Sequence, residues 1–73
     1  MQIGHLREFL TLAANANFSA TAKELYITQS ALSRHIASLE EELGAKLLAR
    51  VSHQVSLTPV GRQFAADAEG IVE

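Results

Sequence analysis

Four short or forked polar side chains, Gln29, Ser30, Ser33 and Arg34, fall within six consecutive positions of this 73-residue sequence. Their chemistry suits the recognition of nucleic acid. An arginine fork can be bidentate to guanine and a glutamine amide to adenine, while serine reaches either base edges or phosphate. Ala31 and Ala37 are small enough to let a helix carrying these groups sit deep in a major groove. Such a set acts together only if one rigid element presents it on one face.

The surrounding pattern supplies that element. Leu32, Ile36, Leu39 and Leu43 recur at steps of four, three and four and so line one stripe of a helix, with Ser30, Ser33, Arg34, Ala37 and Glu41 on the opposite face. Thr28 is the N-cap candidate that opens this helix, and Gly44 supplies the left-handed position that stops it. Only Tyr26-Ile27-Thr28 separates it from a shorter helix of about Ala20 to Leu25, for which Ser19 is the cap candidate and Phe18 the hydrophobic staple. Small residues at Ala20, Thr21 and Ala22 permit close approach by a neighbouring helix, and Ala22 shares a face with Leu25. Before these, Leu6, Phe9, Leu10, Ala13 and Ala14 mark one face of a first helix from Ile3 to about Asn15. Two helices joined by a three-residue turn, the second with a small, polar, acid-free first half, have the arrangement of a helix-turn-helix.

Beyond Gly44 the period changes. Leu47-Leu48 and Val55-x-Leu57 around Ser52-His53-Gln54 predict a small hairpin over 46–57. Thr58-Pro59 then joins a cap residue to the residue best suited to a first helical position, and Val60, Phe64, Ala68 and Ile71 form the stripe of a last helix. No terminating signal precedes Glu73, so the chain reads as a piece of a longer protein. A core this small is marginal, and pairing that stripe with a second copy is a physical expectation; packing back on its own domain is the alternative, and Val60 and Phe64 can do both.

The bulk composition bounds the function. One small domain without cysteine has no disulfide frame and no thiolate metal site, which fits a reducing compartment, and no apolar run approaches a membrane span. Six Lys+Arg against eight Asp+Glu give a net charge of −2, which argues against a uniformly basic coat or a polybasic membrane anchor. The order of the charges matters more than their sum. Between Leu25 and Leu39 stands Arg34 with no acid, and between Leu43 and Ala66 stand Lys46, Arg50 and Arg62 with no acid. Helix and hairpin therefore share a mildly positive surface.

Other constellations carry less. His5, His35 and His53 fall on three different elements, which gives a metal site little support, and His35 lies at the edge of the buried stripe as a structural histidine would. Ser33 and His35 are two apart and point away from each other, so they make no hydrolytic dyad. Glu40-Glu41-Glu42 reads as a solvated helix end. No Gly-rich phosphate loop occurs, and neither catalytic residues nor a cofactor are expected.

Taken in order, Phe18-Ser19-x-x-Ala22-x-x-Leu25, Ile27-Thr28-Gln29-Ser30-Ala31-Leu32-Ser33-Arg34-x-Ile36, Leu39-Glu40-x-Glu42-Leu43-Gly44, Leu47-Leu48-x-Arg50 and Leu57-Thr58-x-x-Gly61 resemble the N-terminal domain of LysR-type transcriptional regulators. The resemblance covers essentially the whole chain without gaps. It implies a mainly α winged helix-turn-helix with a three-helix core, a hairpin wing and a C-terminal linker helix. It divides the chain into a DNA-binding domain over 1–58 and the start of a linker and dimerisation helix over 59–73.

It further implies a bacterial cytoplasmic regulator that binds double-stranded DNA as a homodimer, with the helix of about 28–43 in the major groove and the wing of 46–57 at the adjacent minor groove or backbone. A small-molecule effector would act only through a larger domain absent from this chain. By position, Gln29, Ser30, Ser33 and Arg34 match base- or phosphate-contacting positions and Thr28 the contact at the helix start. Arg50 matches the wing arginine before the turn, and His53 stands where a basic residue often reaches the minor groove. Val60, Phe64, Ala68 and Ile71 match the pairing face of the linker helix.

Three departures stand out. Ser30 replaces a usual proline and so keeps an N–H and adds a hydroxyl. Thr21 replaces a usual alanine, which is tolerated if its hydroxyl faces out or bonds back to the preceding turn. Ser52-His53-Gln54 is poorer in arginine than a typical wing, so minor-groove contact should be weaker and sensitive to protonation of His53. A rival reading is a winged-helix module that presents the same helix to a protein partner. An acid-free face without large apolar groups speaks against it.

Overall fold

The computed structural model describes residues 1–51 and 54–72. Its elements are α1 (Ile3–Asn15), α2 (Phe18–Leu25), α3 (Gln29–Leu43), β1 (Leu48–Val51), β2 (Gln54–Leu57) and α4 (Pro59–Val72). α1 lies at the centre, touching α2, α3 and α4, and the two strands form an antiparallel hairpin with Leu48 opposite Leu57 and Arg50 opposite Val55. This is the winged helix-turn-helix that the family resemblance implies.

The core is built from one stripe per helix. Leu6, Phe9 and Leu12 of α1 meet Ala22 of α2, Leu32, Ile36 and Leu39 of α3, Leu47 and, from α4, Ala65 and Ala68. The buried arc of α1 is thus centred on Phe9 and takes in Leu12; Leu10 and Ala13 flank it and Ala14 is exposed. Leucines border Phe9 on both sides of the helix, so the periodicity alone left the rotation open. Leu43 departs from the expected stripe at 37% exposure, because the last turn of α3 runs past the core.

The helix ends follow local chemistry. α1 stops at Ala16 and α2 at Tyr26, both left-handed (φ 55° and 59°), and α3 stops at Gly44 (φ 67°). α2 begins earlier than the sequence suggests. Asn17 is its cap, accepting from the Ala20 N–H at 2.8 Å, while Ser19 is already helical and Phe18 is the first helical residue instead of a staple before it. Asparagine is as good a cap as serine, and its offset of three residues from Ala20 fits the amide oxygen to that donor. Thr21 neither faces out nor bonds back to the preceding turn: it is fully buried, and its hydroxyl accepts from the Asn15 amide at 3.1 Å.

Glu40 corrects the reading of the acidic run as a wholly solvated end. Its side chain is 14% exposed, and one carboxylate oxygen accepts from the backbone N–H groups of Leu47 and Leu48 at 2.8 and 3.3 Å. A carboxylate at a helix C-terminus opposes the dipole, but two charge-assisted bonds offset that cost and tie the wing's first strand to α3.

The wing is closed on its other side by α4. Thr58 caps α4 through Gly61 N–H (2.9 Å) while donating to the Lys46 carbonyl (2.6 Å), and its own N–H reaches the Leu47 carbonyl at 3.0 Å. At Gly61 a Cβ would overlap the Leu47 carbonyl oxygen, a backbone atom that cannot rotate away. Gly61→Ala should therefore destabilise the domain by about 1–3 kcal/mol or more, as overpacking against fixed atoms does. A thermal melt unchanged from that of the parent protein would disprove this close approach.

Candidate nucleic-acid interface

Burial of Leu32, Ile36 and Leu39 fixes the rotation of α3 about its axis. The residues between them must then point outward, and Gln29, Ser30, Arg34 and Ala37 are exposed while Ser33 is half-buried. The start of this helix is set by Thr28, whose Oγ1 accepts from the Ala31 N–H at 3.0 Å and whose carbonyl accepts from Leu32 at 3.0 Å. A hydroxyl used as an acceptor in this way retains its proton for donation outward.

The wing brings a second guanidinium to the same face. Arg50 on β1 lies with Cζ 4.3 Å from the centroid of the Phe18 ring. Phe18, Gln29, Ser30, Ser33, Arg34 and Arg50 line one shallow concavity together with Ala37. A second concavity shares Phe18, Gln29 and Arg50 and adds Asn17, Ser19 and Gln54. Neither is lined by a carboxylate among the described residues. Two forks, three amides and several hydroxyl groups thus face outward together, a set of donors suited to phosphate oxygens and base edges.

Of the sequence-predicted contacts, Gln29, Ser30, Ser33, Arg34 and Arg50 converge, and Thr28 stands beside them at the helix start without lining the concavity. His53 lies outside the described residues. Phe18, Ser19 and Gln54 were not singled out as contacts; Phe18 had an apolar explanation, and Ser19 and Gln54 join the surface only once hairpin and α2 are docked.

Several acids are engaged elsewhere in the fold, whereas Glu40 lines a neighbouring concavity with Ser33, Lys46 and Arg50. Glu8 meets His35 Nδ1 at 2.6 Å, and His35 stacks on His5 with centroids 4.2 Å apart, so this trio clamps α1 to α3. Glu24 accepts from Asn15, and Glu42 pairs with the N-terminal amine at 2.9 Å. Among the described residues no group of three or more potential metal ligands comes together, and no helix is long and apolar enough to cross a membrane.

The model of the bacterial regulatory helix-turn-helix proteins of the LysR family matches residues 3–62. This chain belongs to the LysR family. Among its relatives, the uncharacterised regulator YnfL of Escherichia coli strain K12 is 42% identical over 72 residues, which is 99% of this chain and 24% of YnfL. The BenM DNA-binding domain in complex with benA site 1 DNA, from a regulator of Acinetobacter baylyi, is 42% identical with a TM-score of 0.93, covering 99% of this chain and 84% of that one. The CbnR DNA-binding domain in its DNA complex is 35% identical with a TM-score of 0.94, over 99% and 83% of the two chains. The chain spans about a quarter of the length of the curated relatives it matches, and these are transcriptional regulators rather than enzymes.

The apolar stripe of α4 in this LysR-type DNA-binding domain divides in two. Val60 and Ile71 are 49% and 61% exposed, whereas Phe64 packs on Phe9 with ring centroids 5.5 Å apart and Ala68 is fully buried. Ala68 is therefore covered by its own core, against its expected place on a pairing face, and Phe64 is half-buried. Because α3 depends on Thr28 for its first turn, Thr28→Ala should cost about 1 kcal/mol of stability, with Thr28→Ser close to the parent protein. Equal denaturation midpoints for Thr28→Ala and the parent would remove the cap from this account.

Proposed function

We propose that this domain reads double-stranded DNA by placing α3 in the major groove, with the β1–β2 wing against the neighbouring backbone or minor groove. One observation carries the reading: Arg34, Arg50, Gln29, Ser30 and Ser33 line one outward concavity that has no carboxylate among its described lining residues. The BenM and CbnR domains of the same fold, described in complexes with DNA, support it. Phosphate contacts from Thr28, Ser33 and Arg50 position the domain; Gln29, Ser30 and Arg34 read bases. His53 supplies the minor-groove contact on this reading.

The domain works as a two-fold pair, each copy taking one half-site, inside the bacterial cytoplasm where its target lies. The apolar groups left outside the core support pairing through α4: Val60 and Ile71, with Leu43, Ala45 and the edge of Phe64 beside Val60. Effector control belongs to a further domain of the full-length regulator.

Selection of bound duplexes from a random pool tests the reading directly and returns the half-site with its spacing. On the selected site Arg34→Ala should lose about 1–3 kcal/mol of binding, and affinity should fall steeply with salt as counterions are released. A flat salt response with Arg34→Ala unchanged would favour a protein partner for this face. For pairing, Ile71→Asp should shift sedimentation of a dimeric sample toward monomer with the helical content unchanged, since Ile71 lies outside the core. A dimer unaltered by that change would place the two-fold contact elsewhere.

A further inference from the structure

Arg50 is an exposed arginine on a four-residue strand, a position where a side chain with four rotatable bonds has wide freedom. It is nevertheless held over the face of Phe18, with Cζ 4.3 Å from the ring centroid. The ring itself is fixed from behind, because Phe18 is half-buried against the core and begins α2 directly after the Asn17 cap. The wing is registered to the same spot by the backbone: Arg50 pairs with Val55, and the Val55 N–H donates to the Ala16 carbonyl at 3.4 Å, two residues before Phe18. Phe18 and Arg50 both line the two concavities that flank Gln29.

We propose that Phe18 is a positioning residue for DNA binding: its ring holds the Arg50 guanidinium in the concavity between the wing and α3, aimed at a DNA phosphate before the duplex arrives. An arginine stacked on a ring keeps its N–H donors free around the edge of the guanidinium plane, so the ring and a phosphate are held at once. The side-chain ordering that a free arginine would undergo on binding is already complete. Phe18 thereby links α2 and the wing into a single binding surface. This assignment rests on the DNA-binding reading above.

The test uses Phe18→Leu, Phe18→Tyr, Arg50→Ala and the Phe18→Leu/Arg50→Ala double variant with the duplex selected for the parent protein. Phe18→Leu keeps an apolar side chain on the core but removes the ring face, and Phe18→Tyr keeps both. Phe18→Leu should weaken binding about two- to fivefold, the range expected of an exposed cation–ring contact. Phe18→Tyr should bind as the parent does. In an Arg50→Ala background Phe18→Leu should have no further effect. Without DNA, the Arg50 side-chain protons should be shifted upfield by the ring current in the parent and in Phe18→Tyr and return to ordinary positions in Phe18→Leu.

Equal loss from Phe18→Leu with and without Arg50, or Arg50 proton shifts that ignore the ring, would overturn the proposal and leave Phe18 as core packing. Failure of the parent protein to bind any duplex would instead overturn the DNA-binding reading, so the two failures are distinguishable.

Discussion

The rotation of α3 is the constraint on which the rest depends. A helix has one azimuth to give to the core, and Leu32, Ile36 and Leu39, each at most 3% exposed, take it. Once they are buried, Gln29, Ser30 and Arg34 cannot be anywhere but on the solvent side. Side-chain identity on the outer face is then free of packing demands. This is why that face can be short and polar without cost to stability, and why recognition there is separable from folding.

Rotation alone does not make a site, since a lone helix offers a stripe with no depth. Depth comes from the wing, and the wing has little core of its own: two four-residue strands with Val55 as the buried residue of β2. Anchors at both ends hold it. Glu40 grips the entry to β1 through two backbone donors, while Thr58 and the bare backbone of Gly61 hold that entry from the α4 side. Val55 is tied to Ala16 and Arg50 lies on Phe18. A hairpin too small to fold alone is thus placed by polar bonds to Glu40 on α3, to the Thr58 cap of α4 and to the Ala16 carbonyl that follows α1, with the Phe18 ring of α2 beside them.

Much of this was legible in the sequence because it is locally encoded. Thr28, Gly44 and Pro59 mark helix ends by their own backbone chemistry, and the hydrophobic period gives the number and order of elements. What was hidden depends on tertiary neighbours. Asn17 and Ser19 are both good caps, and only the geometry at Ala20 decides between them. Leu10, Ala14 and Leu12 are all apolar, so which of them α1 buries is decided by where α2, α3 and α4 lie. Ala68 and Ile71 share a stripe, yet one is covered by its own core and the other is bare. Glu40 looks like its two acidic neighbours until the backbone of residues 47 and 48 is brought beside it.

The same neighbour effects resolve the apparent conflict between a net charge of −2 and a nucleic-acid ligand. Charge acts over about a Debye length, roughly 8–10 Å at ordinary salt, so the distribution governs binding and the total does not. Glu8, Glu24, Glu40 and Glu42 each have a partner within the fold, and none lines the concavities beside Gln29. Lys46, which pairs loosely with Glu40 at 3.8 Å, is partly neutralised, leaving Arg34 and Arg50 as the cations of the concave face. Two cations release few counterions per domain, so non-specific affinity for a duplex is small on this reading. On the proposed reading such a face gains more from geometry than from charge: from an arginine held in position before the ligand arrives, and from doubling the contacts with a second copy at fixed spacing.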